Sequence, residues 1–166
     1  MPAARAHEMQ LHSWFSRARV KYFHLYFVLK RPMTLGVRAM VLNEEDQTIF
    51  LVRHTYVPGW YMPGGGVERG ETAMQALVKE LREEANIEIT GEAGLFGLYY
   101  NSRASIRDHV VLYVVKQYWQ TAPRLPDREI AECGFFPLSS LPEATTQSTR
   151  RRIAEVLEGK AADGFW

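Results

Sequence analysis

The chain has 166 residues, 46% hydrophobic and 23% charged, which fits one globular domain of ordinary composition and excludes a fibrous or disordered class. A formal net charge of +1 excludes a polymer of nucleic acid as an expected partner, and the single Cys133 excludes an intrachain disulfide. The sequence offers no convincing signal peptide and no apolar run near the length of a membrane span, so a reducing cytoplasm is the expected location.

The charge is unevenly spread. Residues 1–31 carry Arg5, Arg17, Arg19, Lys21, Lys30 and Arg31 against Glu8 alone. Within them, Leu11, Phe15, Ala18, Tyr22, Leu25 and Leu29 recur at helical spacing, so residues 10–30 are predicted to form a basic amphipathic helix that Pro32 ends. Such a helix packs on the sheet or on a second copy in a homodimer, or lies on an anionic membrane surface as a peripheral contact. Leu35–Leu42 and Thr48–His54 then read as a strand hairpin around the polar turn "NEEDQ".

Residues 55–70 are rich in Pro and Gly and read as a loop, followed by a helix. Thr72 and Gln75 have the spacing of a capping box. Met74, Leu77, Val78, Leu81 and Ala85 make the apolar stripe, and Asn86 suits the left-handed residue that ends a helix. Further strands are expected at Leu95–Tyr100, His109–Trp119 and Cys133–Leu138, and a second amphipathic helix at Ser148–Glu158. Strands in runs with helices between and after them predict an α+β fold, a mixed sheet covered by helices. Cys133 beside Phe135 and Phe136 reads as a small core residue. His54 and His109 read as strand residues, since no second His or Cys completes a metal set. Trp60, Tyr61, Tyr99 and Tyr100 read as core, so none is named as a base-stacking partner.

Two features of the loop and helix carry chemistry. Gly65, Gly70 and Thr72 have the spacing of a phosphate-binding P-loop, but Glu71 stands where that loop needs lysine. In "KELREEA", Glu80, Glu83 and Glu84 share one helix face beside the apolar stripe. Three like charges there repel one another, and a hard divalent cation that also binds phosphate oxygens resolves the repulsion.

Residues 65–87 resemble the signature of the Nudix hydrolases, G-x5-E-x7-R-E-U-x-E-E-x-G-U, where U is aliphatic. Gly65, Glu71, Glu80, Leu81, Glu83, Glu84 and Ile87 fit as written; Lys79 stands at the arginine and Asn86 at the last glycine. Lys79 keeps the charge but lacks the planar fork of arginine. The resemblance implies an α/β/α sandwich with a mixed sheet between helices. It divides the chain into the helix of residues 1–31, a hydrolase domain over 32–160 and a short tail, 161–166. It implies hydrolysis of a nucleoside diphosphate linked to another group, a small-molecule substrate, with Mg²⁺ as cofactor and Mn²⁺ as its alternative. Glu80, Glu83 and Glu84 are then the metal ligands. Glu83, Glu84 and Glu129, from a later loop that also offers Glu132, are the catalytic candidates. Gly65, Glu71 and Lys79 support them, and Arg38 and Arg53 are candidates for contact with phosphate. The rival expectation is a Nudix fold that binds nucleotide as a catalytically weak or regulatory module.

Overall fold

The computed structural model describes residues 32–166 and, upstream, Phe23, Tyr26 and Lys30, which are helical. The chain divides into two compact units, 1–33 and 34–166. Apart from those three residues, the helix expected over 10–30, with its membrane or subunit role, lies outside the described residues. No helix of the described residues is long and apolar enough to cross a membrane. The second unit holds all the strands described below.

Strands β1 (Thr34–Asn43) and β2 (Thr48–His54) form the expected hairpin. In its turn, Asn43 Oδ1 accepts the backbone N–H groups of Glu45 and Asp46, each at 3.1 Å, which closes the chain as an Asx turn. Only Leu42 opposite Ile49 and Asn43 opposite Thr48 pair the two strands directly. Beyond these pairs the glycine-rich loop bonds to both. Val37 and Ala39 donate to Gly65 O and Pro63 O at 2.9 Å, Val67 donates to Leu35 O at 2.8 Å, and Tyr61 and Val52 exchange two bonds of 2.9 Å. The segment expected to be an irregular loop is therefore stitched to the sheet. Its prolines and glycines disguise that pairing at the level of sequence.

β5 (Asp108–Val115) runs parallel to β1, and β4 (Ala93–Tyr100) lies antiparallel outside it. β7 (Ile130–Pro137) lies antiparallel outside β2, giving the order β4-β5-β1-β2-β7. A second, two-stranded sheet pairs β3 (Ile87–Ile89) with β6 (Tyr118–Gln120). The single strand expected over His109–Trp119 is thus corrected to two. The chain leaves the large sheet at Lys116 and Gln117, both exposed, where Lys116 pairs with Glu44 at 2.7 Å and Gln117 O accepts from Thr90 at 3.1 Å. Three-residue β3 is too short to leave a periodic signal.

Helices α1 (Ala73–Ala85) and α2 (Gln147–Glu158) cover the sheet through separate cores. Val37, Ala39, Val41, Phe50 and Val52 pack with Leu77, Leu81 and Ala85 of α1. Met40, Leu42, Ile49 and Leu51, the alternate residues of the same strands, pack with Ile153 of α2. Alternation along a strand sends neighbouring side chains to opposite faces, so the expected helix–sheet–helix sandwich is the observed one.

The last residues are less of a tail than expected. Gly164 O accepts from Tyr100 N at 2.8 Å and Trp166 N donates to Tyr100 O at 3.0 Å. Fully buried Arg152 stacks 3.9 Å over the Tyr99 ring, pairs with Glu155 at 2.6 Å and donates to Phe165 O at 2.8 Å. A buried guanidinium needs such partners, and they fix the end of the chain against β4.

Candidate active site

The site is built where the stitched loop meets α1. Thr72 caps the helix as its spacing predicts, accepting from Gln75 N at 3.2 Å and donating its own N–H to Gln75 Oε1 at 2.8 Å. Asn86 ends it with φ 53° and ψ 34°, the left-handed conformation. Between these caps the buried face is narrower than expected. Leu77, Leu81 and Ala85 are buried, whereas Met74 in the first turn is exposed.

Glu84 belongs to that buried face, at 4% exposure. Its Oε2 accepts the backbone N–H of Gly64 at 2.7 Å. Burial pushes its carboxyl up to about 7; Glu80 and Glu129 push the same way, and the Gly64 bond and Arg38 oppose them. Glu80 is half-buried, and burial, then Glu83 and Glu129, raise it too, against Lys79 and Arg38. Glu83 is exposed. The three therefore share a face, as expected, but at graded depth.

Glycine serves at two neighbouring positions for different reasons, and only at Gly64 does the backbone demand it. A Cβ on Gly64 would fall 2.1 Å from Val37 O, and its φ is +140°. A Cβ on Gly65 would fall 2.4 Å from Glu80 Oε1, so the bare backbone leaves room for that carboxylate. Sequence reasoning singled out Gly65 and passed over Gly64, whose constraint comes from β1 and so from the fold. The supporting residues are together as well. Glu71 accepts from Glu68 N at 2.9 Å, and Lys79 Nζ lies 3.5 Å from Glu71 and 3.8 Å from Glu80.

Of the two acids before and in β7, the structure brings Glu129 to the site. Ligand atoms of His54, Glu84 and Glu129 lie within 4.8 Å of one another. Glu132 instead pairs with Arg53 at 2.8 Å. The register shifts by one residue between these neighbours, Arg53 opposing Glu132 but His54 opposing Ile130, and such bulges re-aim side chains. Asp127 holds the loop before the strand. Its Oδ1 accepts from Glu129 N at 2.9 Å and Ile130 N at 2.8 Å; these two bonds, with Arg124, lower its carboxyl to about 2. Arg124 also donates to Glu83 O at 2.7 Å. Glu80, Glu83, Glu84, Arg124, Asp127 and Glu129 line a cleft of about 520 Å³.

The two arginines expected at phosphate fare differently. Arg38 donates to Met62 O at 3.1 Å and to Gly64 O, and its charge acts on Glu80 and Glu84. Arg53 reaches Glu132 and lies 5.7 Å from the centre of the Trp60 ring, and it does not line the cleft. Parity separates Arg53 from its neighbour His54. Arg53 shares the strand face of Leu51, on the α2 side, and His54 that of Phe50 and Val52, on the α1 side.

His54 is the site residue that sequence reasoning missed. It is a strand residue, as expected, but its Nε2 lies 3.7 Å from Glu84 Oε1. Burial, then Arg38, lowers its pKa, so the pair is no salt bridge at neutral pH. Its strand parity with Phe50 and Val52 was legible; that distant carboxylates complete its set was not. His109 pairs with Leu35 and Tyr100 at the far end of β5, and Trp60 and Tyr99 are core, all as expected. Cys133 is half-buried, and burial raises its thiol, in keeping with a packing role.

The donors fit a divalent cation: the acids raise one another's pKa, and His54 Nε2 stands 3.7 Å from Glu84 Oε1, beyond hydrogen-bond reach. Without a cation, buried Glu84 sets a pH dependence. The folded chain holds its proton up to about pH 7, whereas an unfolded carboxyl releases it near its ordinary 4.5. The folded state then binds more protons in that window, so stability falls as pH rises through it. Urea unfolding in EDTA is expected to show a decline on the order of 3 kcal/mol between pH 4.5 and 7, most of it lost in Glu84→Gln and the remainder belonging to Glu80; an unchanged decline in the variant assigns it elsewhere.

A mixed sheet between two helices, with a glycine loop leading into a helix of clustered carboxylates, is the fold of one protein family. The chain belongs to the NUDIX domain family, whose family model matches residues 32–157. It is 32% identical to the ADP-ribose pyrophosphatase of Methanocaldococcus jannaschii over 103 residues, 60% of each chain. It is 27% identical to the 8-oxo-dGDP phosphatase of Mus musculus over 116 residues, 69% of this chain and 35% of that one. The chain thus spans about a third to three fifths of these curated relatives. Its fold is that of the MutT NUDIX hydrolase from Burkholderia pseudomallei, with a TM-score of 0.64 at 23% identity, covering 74% of this chain and 97% of the other. An ADP-ribose pyrophosphatase from Streptococcus suis superposes with a TM-score of 0.59 at 23% identity, covering 80% and 96%.

Proposed function

We propose that the chain hydrolyses the diphosphate linkage of a nucleoside diphosphate joined to a second group, with Mg²⁺ as cofactor and Mn²⁺ able to replace it. The observation that carries this reading is the placing of Glu84: buried, held by Gly64 N–H, and grouped with Glu80, Glu83 and Glu129 at one cleft. An anionic substrate does not enter an acidic cleft unaided, so the acids are there to hold a cation. A divalent ion in such a site polarises a phosphoryl oxygen and makes water a competent nucleophile at neutral pH.

In this reading Glu80, Glu83 and Glu84 hold the cation, the buried Glu84 setting its position and the exposed Glu83 facing substrate. Glu129, its loop held by Asp127, joins the cation from the later loop and orients the attacking water. Lys79 and Glu71 keep Glu80 in place from the solvent side. Arg38 ties the loop to β1 and supplies fixed positive charge beneath the acids. Tyr56, 70% exposed with its ring 5.1 Å from that of His54, offers a face on which a base stacks.

A panel of ADP-ribose, oxidised nucleotides, dinucleoside polyphosphates and sugar nucleotides tests the reading. Cation-dependent turnover of at least one member is the expected result. Binding without turnover on every member, with Mg²⁺ or Mn²⁺, gives the regulatory module instead.

A further inference from the structure

His54 is spent on nothing that the fold explains. It is 7% exposed at the end of β2, and its Nδ1 has no hydrogen-bond partner. Buried polar atoms are bonded in the great majority of cases, and a histidine kept in a core for packing alone usually has its ring nitrogens satisfied. Its Nε2 stands 3.7 Å from Glu84 Oε1, too far for a hydrogen bond. That separation suits two ligands of one ion, since donors each about 2.1 Å from a metal lie up to about 4.2 Å apart. The three donor atoms of His54, Glu84 and Glu129 lie within 4.8 Å of one another, so closing on an ion needs a movement of a few tenths of an ångström. Glu129 is exposed and lies on the approach to β7, where that movement meets little packing.

We propose that His54 is a nitrogen ligand of the cation held by Glu84 and Glu129, and that it biases the site toward Mn²⁺ over Mg²⁺. This rests on the hydrolase reading above and goes further in naming the donor that sets metal choice. Mg²⁺ demands near-ideal octahedral oxygen coordination and keeps its waters, whereas Mn²⁺, the weakest binder of the first-row divalent series, is the softer of the two toward an imidazole nitrogen. The tyrosines beside His54 fix its ring. Tyr56 and Tyr61 have ring centres 5.1 and 5.9 Å from it, and Tyr61 is itself tied to Pro58 O at 2.8 Å.

The test is pulsed electron spin resonance of Mn²⁺ bound to the full chain, with Mn²⁺ and Mg²⁺ affinities measured in parallel. The wild type is expected to show nitrogen modulation from a bound imidazole. His54→Gln and His54→Asn are expected to lose it, with Mn²⁺ affinity lowered at least about 10-fold and Mg²⁺ affinity altered far less. Mn²⁺ binding with no nitrogen modulation in the wild type overturns the inference, as does modulation that persists in both variants. Equal loss of both metals also overturns it, since that is the mark of a structural role. If neither variant folds, the wild-type spectrum decides, His54 being the histidine of the cluster among the described residues. Turnover that stands without nitrogen coupling removes this inference and spares the hydrolase reading; no metal binding removes both.

Discussion

Glu84→Gln is expected to lower cation-dependent hydrolysis by at least about 100-fold while leaving the fold intact. The loss exceeds the roughly 10–100-fold that follows removal of a group merely supporting a metal ligand, because Glu84 is proposed as a ligand itself. The fold survives because glutamine keeps the shape and an acceptor oxygen. Gly64 N–H, now 2.7 Å from Oε2, retains its partner. The variant also removes a carboxylate that burial raises to about 7, so without a cation it is expected to be no less stable than the wild type at neutral pH. Turnover and urea unfolding on the same preparations check both halves. Undiminished turnover removes Glu84 from the reaction, and a large fall in stability makes its role structural.

Gly64→Ala is the second large effect, and it acts on folding. The added methyl would sit 2.1 Å from Val37 O and 3.0 Å from the α-carbon of Arg38, both backbone atoms of a buried strand. It would also impose φ of +140°, which L-residues avoid. Backbone strain and overpacking together cost about 4 kcal/mol. Relief moves the loop from β1, which breaks the Gly64 bond to Glu84, so activity falls with stability. Gly66→Ala two residues on is the control. Its Cβ meets nothing within 4 Å and its φ is ordinary, so it is expected to be neutral or slightly stabilising. Urea midpoints of both variants decide; equal midpoints contradict the claimed close approach.

Local signals were legible in the sequence where local chemistry makes them. The hairpin, both caps of α1 and the shared face of Glu80, Glu83 and Glu84 follow from turn residues, capping spacing and helical periodicity. Resemblance to the Nudix signature extended these to the family and to the sandwich. What escaped depends on which strand face meets which helix. Arg53 and His54 are neighbours in sequence, yet one reaches Glu132 and the other Glu84. Sequence reasoning favours Glu129 over Glu132, but the bulge at β7 that parts them in space is not legible there. Gly64 differs from Gly65 because a Cβ on it would meet the β1 backbone rather than a side chain, and the short β3 and β6 arise from pairing with each other and carry no pattern of their own.

The measurement closest to the central claim is the rate of diphosphate hydrolysis by the wild-type chain, on the best substrate of the panel, as Mg²⁺ or Mn²⁺ is titrated into chelated protein. The account predicts no turnover in EDTA, a rate that rises with cation to saturation, and restoration after removal and return of the ion. Full turnover in EDTA would contradict it.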